Sequence, residues 1–184
     1  MPTNVSIRDV LQQYTTARVA LGKTGTAQFT KDILSFRAAH AQAKDSIYQT
    51  FDSKIIADSL TQLNRKVWVL KSKANDKREF LLRPDLGRQL HEESMELISK
   101  VQVSLPFDLC ISISDGLSVS AIDEHCIPLM TLLLKKMDDA GYSIAPICII
   151  ERGRVAISDM TGFFTRSRVS LILIGERLNE TVYS

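Results

Sequence analysis

Cysteine is scarce in this chain, and its three copies, Cys110, Cys126 and Cys148, are odd in number and far apart. A stapled, disulfide-dense fold needs paired cysteines, so that class is excluded. Each cysteine sits among apolar neighbours, as in Leu109-Cys110-Ile111 and Ile147-Cys148-Ile149, which predicts small buried hydrophobes in a reducing compartment. Long hydrophobic runs are missing as well. No segment reaches the length of a membrane span and the N-terminus carries no apolar signal core, so a cytosolic chain without a membrane partner is expected. Nor is one sign of charge in excess: the formal net charge is +2, and Lys and Arg are mixed with Asp and Glu. That balance leaves no electrostatic footprint for nucleic acid.

Recognisable catalytic signatures are lacking too. The chain has no Gly-x-Gly-x-x-Gly fingerprint, no Walker loop, no Gly-x-Ser-x-Gly elbow and no paired metal-ligand spacing. Gly22-Lys23-Thr24-Gly25 has the wrong spacing for a phosphate loop and no strand before it. His40, His91 and His125 are isolated and read as surface or packing residues rather than general bases. Asp123-Glu124-His125-Cys126-Ile127-Pro128 imitates the Asp-x-His-x-x-Gly pattern that ligates cobalt through histidine. Pro128 replaces the glycine, however, and the segment falls inside a predicted helix. No metal ligands are expected.

What is present is an ordinary globular composition, 45% apolar and 24% charged over 184 residues, enough for one domain with an extension. Helices are predicted over 5–14, 30–45 and 53–63, with Thr30 as an N-cap and Asp32 in the favourable first turn. Residues 1–65 thus form a helical N-terminal extension. From residue 66 the pattern changes. Strands are predicted at 67–70, 109–113, 144–150 and 169–174. Residues 71–78 read as a charged loop or hairpin, Pro84 opens a helix to about 100, and a long helix covers about 118–138, stopped near Gly141. A short helix capped by Ser158 precedes the last strand. Strands without a polar face, alternating with helices, predict for 66–184 an α/β fold: a Rossmann-like, open, mostly parallel sheet flanked by helices.

Ligands in such sheets bind beyond the carboxyl ends of the strands. Three polar, glycine-bearing turns fall there: Ser114-Asp115-Gly116, Glu151-Arg152-Gly153-Arg154 and Gly175-Glu176-Arg177. They are expected along one edge, together with the N-terminal amides of the helix that starts near Ser118.

Six segments in order resemble the small subunit of ethanolamine ammonia-lyase. They are Thr16-Ala17-Arg18-Val19-Ala20-Leu21-Gly22-Lys23-Thr24-Gly25, His40 to Asp45, and Leu82-Arg83-Pro84-Asp85-Leu86-Gly87-Arg88-Gln89-Leu90. Ile113 to Ser118, Gly153-Arg154-Val155 and Ile174-Gly175-Glu176-Arg177 complete the series. The resemblance implies a subunit of an adenosylcobalamin-dependent lyase that converts ethanolamine to acetaldehyde and ammonia. It also implies a barrel-shaped large subunit as partner in a hetero-oligomer, and cobalamin held base-on. By matching motifs, corrinoid contacts fall on Val155 and Glu176, Val155 packing on the corrin periphery and Glu176 accepting from a corrin amide. Glu176 is alternatively a salt-bridge partner of Arg177 or Arg154. The location implied is cytoplasmic, free or within a bacterial microcompartment.

The resemblance departs after residue 177. There the family continues with Pro-Gly, a serine-containing turn, further sheet and a later cysteine at the cofactor, whereas this chain has Leu178 to Ser184. A shifted reading frame, a natural truncation or an artificially shortened chain would each give this ending, and each leaves the last strand as an uncovered sheet edge. Two functional expectations follow: a contributing lyase subunit, or an incompetent remnant that keeps only fold and subunit association.

Overall fold

The computed structural model describes residues 6–15, 17–100 and 106–176. Its contacts divide the chain into two compact units, Met1–Lys44 and Asp45–Ser184.

The first unit holds helix α1 (Ile7–Gln12), a two-stranded antiparallel ribbon of β1 (Lys23–Thr24) and β2 (Ala27–Gln28), and most of helix α2 (Thr30–Tyr48). Gly25, at φ +64°, makes the ribbon turn that an L side chain resists. α2 starts at Thr30, where the expected helix began, and the hydrogen bond from Ile33 N to Phe29 O puts Phe29 rather than Thr30 in the cap position. Asp32 does sit in the first turn, where it is buried and accepts a charged hydrogen bond from Arg8 at 3.1 Å. Among the described residues of this unit no apolar side chain is buried. An ion pair, not an apolar core, ties α1 to α2.

The second unit is built on a four-stranded parallel sheet. Its strands are β3 (Val67–Lys71), β4 (Leu109–Ser114), β5 (Ile147–Glu151) and β6 (Val169–Ile174), in the spatial order β3-β5-β4-β6. Alternation along each strand sends successive side chains to opposite faces. Ile111, Ile113, Ile147 and Ile149 pack on one face against Ile56 and Leu60 of α3 (Ser53–Gln62) and Ile122, Cys126, Met130 and Leu134 of α6 (Val119–Asp139). Leu70, Cys110, Cys148 and Ile150 pack on the other, against Ile98 of α5 (Glu92–Ser99) and Ile157 of α7 (Ile157–Phe164). Both faces are therefore covered over β4 and β5, as their composition requires, while Val69 of β3 and Val169 of β6 stay exposed. α3, which the sequence pattern groups with the N-terminal extension, packs on β3 and β5. Among the described residues no helix is long and apolar enough to cross a membrane.

The helix ends follow from local chemistry. Asp52 caps α3 by accepting from Lys54 N and Ile55 N, and Ser118 caps α6 by accepting from Ala121 N. Gly141, at φ +75°, ends the turn after α6 as expected. Ser158 does not cap α7 but lies inside it, its hydroxyl donating to Val155 O at 2.9 Å.

Residues 71–100 depart most from expectation. The 71–78 stretch is not only loop: helix α4 (Lys77–Leu82) begins there, with Asp76 accepting from Glu79 N at 2.7 Å and Glu79 accepting from Asn75 N. Pro84 does not open a helix to 100 either. A single 3-10 turn, Leu86–Arg88, is followed by extended backbone before α5 starts at Glu92, capped by His91. Lys73 N donates to Gln89 O and His91 N to Lys71 O, each at 2.9 Å, so an antiparallel bridge pulls 89–91 out of the helix. Long-range backbone pairing overrides the local helical pattern.

All three cysteines are buried and free. Burial pushes the Cys126 thiol up to about 11, and the hydrogen bond with Cys110 together with burial holds Cys148 well above its usual range. In native protein, iodoacetamide should leave Cys126 and Cys148 unmodified, and both should alkylate once denaturant is added; mass spectrometry of the peptides reads this. Ile111→Ala should cost about 2–5 kcal/mol, seen as a lower thermal midpoint. Gly175→Ala should cost about 1–3 kcal/mol, because its Cβ would collide with the Ser118 carbonyl, and exchange at the Leu117 and Ser118 amides should rise.

Candidate functional site

β4 and β5 are neighbours, yet the helices that follow them, α6 and α7, lie on opposite faces of the sheet. Their carboxyl ends therefore diverge at a topological switch point, where open α/β sheets form a crevice. The three turns read from the sequence do lie along this edge, with Arg177 outside the described residues.

Much of the crevice is filled by the protein's own groups. Asp115 is 3% exposed. Its Oδ1 accepts from Arg152 N at 2.7 Å and its Oδ2 from Lys77 Nζ at 3.1 Å. Lys77 Nζ also donates to Gly116 O at 2.9 Å. The Ser114 hydroxyl accepts from Gly153 N at 2.9 Å, closing β4 to the turn after β5. The two amides just before α6 are not turned to a ligand. Leu117 N and Ser118 N donate to Gly175 O at 2.6 and 2.8 Å, which links the start of α6 to the end of β6. A buried helix start must satisfy its orphan N–H groups, and the nearest acceptor is that carbonyl.

Beyond these links a cleft of about 470 Å³ remains. Arg154, Val155, Ala156, Ser158 and Asp159 form one part of its lining, and Gly116, Leu117, Ile174 and Glu176 another; Phe80 and Arg88 complete it. Val155 is 52% exposed. Its carbonyl is held twice, accepting from the Ser158 backbone N–H and the Ser158 hydroxyl, so its side chain is presented from a fixed turn. Glu176 is exposed at the end of β6. The two residues singled out by motif thus line the same cleft.

Arg154 is not paired with Glu176. Its guanidinium lies over the Phe80 ring, 4.5 Å from the centroid, and donates to Phe80 O at 2.8 Å. Lys77 Nζ approaches the same ring at 5.0 Å. Arg154 N donates to Gly87 O at 2.7 Å, and a Cβ at Gly87 would press on Arg154 and Phe80. The Leu82–Leu90 segment is therefore a buttress: its glycine lets the chain approach the Arg152–Arg154 turn.

Sequence reasoning missed Lys77, Phe80, Arg88 and Asp159 as members of the site. The Asp76-Lys77-Arg78-Glu79 capping pattern was a signal for α4, but nothing local says that α4 meets the ends of β4 and β5. His91 and His125, weighed earlier, are not among the residues that line the cleft. His91 caps α5, His40 stacks on Phe36 at 6.2 Å, and His125 lies within α6 beside Glu124. Asp123 and Glu124 are likewise exposed on that helix, whereas Cys126 faces the core.

The chemistry of the lining is mixed in a specific way. Arg88 and Arg154 supply donors, Asp159 and Glu176 supply acceptors, and Val155, Leu117 and Ile174 supply apolar surface between them. Such a wall suits a large ligand with an apolar body and a polar fringe.

Comparison with known proteins agrees with the motifs. Residues 7–178 match the family described as ethanolamine ammonia-lyase light chain. The chain is similar to the ethanolamine ammonia-lyase small subunit of Pseudomonas aeruginosa (strain LESB58), 41% identical over 169 residues, or 91% of this chain and 62% of that protein. The small subunit of Pseudomonas paraeruginosa (strain DSM 24068 / PA7) is 42% identical over the same shares, and that of Pseudomonas syringae pv. tomato is 39% identical over 91% and 59%. The chain spans about six-tenths of the length of the curated relatives it matches. With a match over nearly its whole length, the chain belongs to the ethanolamine ammonia-lyase light chain family.

Proposed function

We propose that this chain acts as the small subunit of an adenosylcobalamin-dependent ethanolamine ammonia-lyase, converting ethanolamine to acetaldehyde and ammonia together with a large subunit. Its own part is to bind and orient the cobalamin, base-on, at the cleft beyond the sheet. The observation that carries this reading is the meeting of Val155 and Glu176, 21 positions apart in numbering (176 − 155), in the lining of one cleft. The naming of these relatives as small subunits supports a large-subunit partner. The setting that goes with this role is the cytoplasm, free or within a bacterial microcompartment.

The lining fits the group. A corrinoid has an apolar macrocycle fringed by amides, which need acceptors and donors in turn. Val155 would pack its exposed side chain on the periphery, Glu176 would accept from an amide N–H, and Arg88 and Arg154 would donate to amide carbonyls. When bound, the cofactor supplies the hard step, homolysis of its carbon–cobalt bond. The protein residues orient and enclose, and hold no proton in the chemistry. Because Arg154 is anchored on Phe80 and Gly87, the Val155 turn is preorganised before any ligand arrives.

Two measurements test the proposal. Co-expressed large subunit should co-purify with this chain and carry corrinoid absorbance, with ammonia released from ethanolamine. Association without corrinoid or ammonia would instead describe a remnant that keeps only subunit docking, and loss of both in folded protein would sink the reading. Glu176→Ala should weaken cobalamin retention about tenfold, the scale of one hydrogen bond to a charged group, while the thermal midpoint stays near wild type. Equal loss of stability with unchanged retention would make Glu176 a structural ion-pair partner.

A further inference from the structure

The switch-point crevice between β4 and β5 contains a buried carboxylate that no motif singled out for a role of its own. Asp115 sits at the end of β4 and reaches two other parts of the fold as well as its neighbour Ser114. Its Oδ1 takes the Arg152 N–H at 2.7 Å, at the end of β5, and lies 3.3 Å from the Ser114 hydroxyl. Its Oδ2 takes Lys77 Nζ at 3.1 Å, from the start of α4, and the side chains of that pair are only 17% and 4% exposed.

The Arg152 bond matters most for geometry. Arg152 has φ +57°, in the left-handed region where a long side chain is strained. A hydrogen bond from that residue's own N–H to a buried carboxylate is a fitting compensation, and the Arg152 side chain adds a second anchor through Nε to Ala74 O at 2.8 Å. The left-handed residue turns the chain so that Gly153 N meets the Ser114 hydroxyl and Arg154 N meets Gly87 O. Val155 follows directly. Lys77 supplies the countercharge, and from the same position its ammonium lies 5.0 Å from the Phe80 ring under Arg154.

We infer that Asp115 is a positioning residue for the cleft: it fixes Arg152 in its left-handed conformation and so sets the Gly153-Arg154-Val155 turn against the ligand. The inference rests on the cobalamin reading of the cleft. Asp115 itself is buried behind the turn and acts only through it. A general stabilising role would show as a lower melting point; a positioning role must also show in the turn and in ligand retention.

The test compares wild type, Asp115→Ala and Asp115→Asn, each co-expressed with the large subunit. Asparagine keeps an acceptor oxygen for the Arg152 N–H, while alanine does not. Two readouts are taken: amide exchange at Arg152 to Val155 against exchange in β4 and β5, and equilibrium retention of cyanocobalamin. Asp115→Ala should speed exchange in the turn while the strand amides stay protected, and should weaken cyanocobalamin retention about tenfold or more. Asp115→Asn should restore most of both. Unchanged turn exchange in folded Asp115→Ala, or retention equal to wild type, overturns the inference and leaves the cofactor reading standing. If alanine does not fold, asparagine decides: a folded variant with turn exchange or retention as poor as a denatured control overturns it. Wild-type complex that retains no cyanocobalamin overturns both.

Discussion

β4 and β5 carry no polar face for solvent, and that single constraint organises the second unit. Ile111 and Ile113 face one way and Cys110 the other; Ile147 and Ile149 face one way, Cys148 and Ile150 the other. A parallel sheet of this kind must be covered on both sides. The connections after β4 and β5 therefore leave to opposite faces, and the ends of the two strands part. The crevice is a by-product of burying apolar surface on both sides of one sheet.

A crevice floored by strand ends also exposes backbone groups that need partners. The structure answers with small polar groups: Asp115 and Ser114 bind the turn after β5, and the Gly175 carbonyl binds the start of α6. These links move the accessible cleft outward, onto Val155, Glu176 and the residues beside them. Buried polar groups of this sort are stabilising only when all are satisfied, so the same network that closes the crevice also makes the turn rigid. Phe80 extends this logic, since one ring face and one carbonyl hold Arg154 in place.

The first unit obeys different rules. With no buried apolar side chain among its described residues, it is held locally by the Arg8–Asp32 pair and by the ribbon turn at Gly25. Arg18 lies over the Phe36 ring at 5.4 Å, another contact of a charged group with an aromatic face in place of a core.

What the sequence determined by itself was whatever depends on neighbours along the chain. Continuous apolar runs located the four strands of the parallel sheet, Ser118 marked the start of α6 and Gly141 its end, and the apolar settings of Cys110, Cys126 and Cys148 foretold their burial. The three glycine-bearing turns could be placed on one edge because parallel strands point the same way. Tertiary structure alone decided how that edge is built. The bridge between Ser72 and Leu90 broke a helix that local pattern favoured at Pro84, because backbone pairing with residues 71–73 satisfied groups a helix end would have left open. α4 brought Lys77 and Phe80 to the crevice from 38 and 35 positions before Asp115 (115 − 77 and 115 − 80), distances over which no periodicity speaks. Charge pairing and ring stacking act through space, so their partners become legible only once the sheet has assembled.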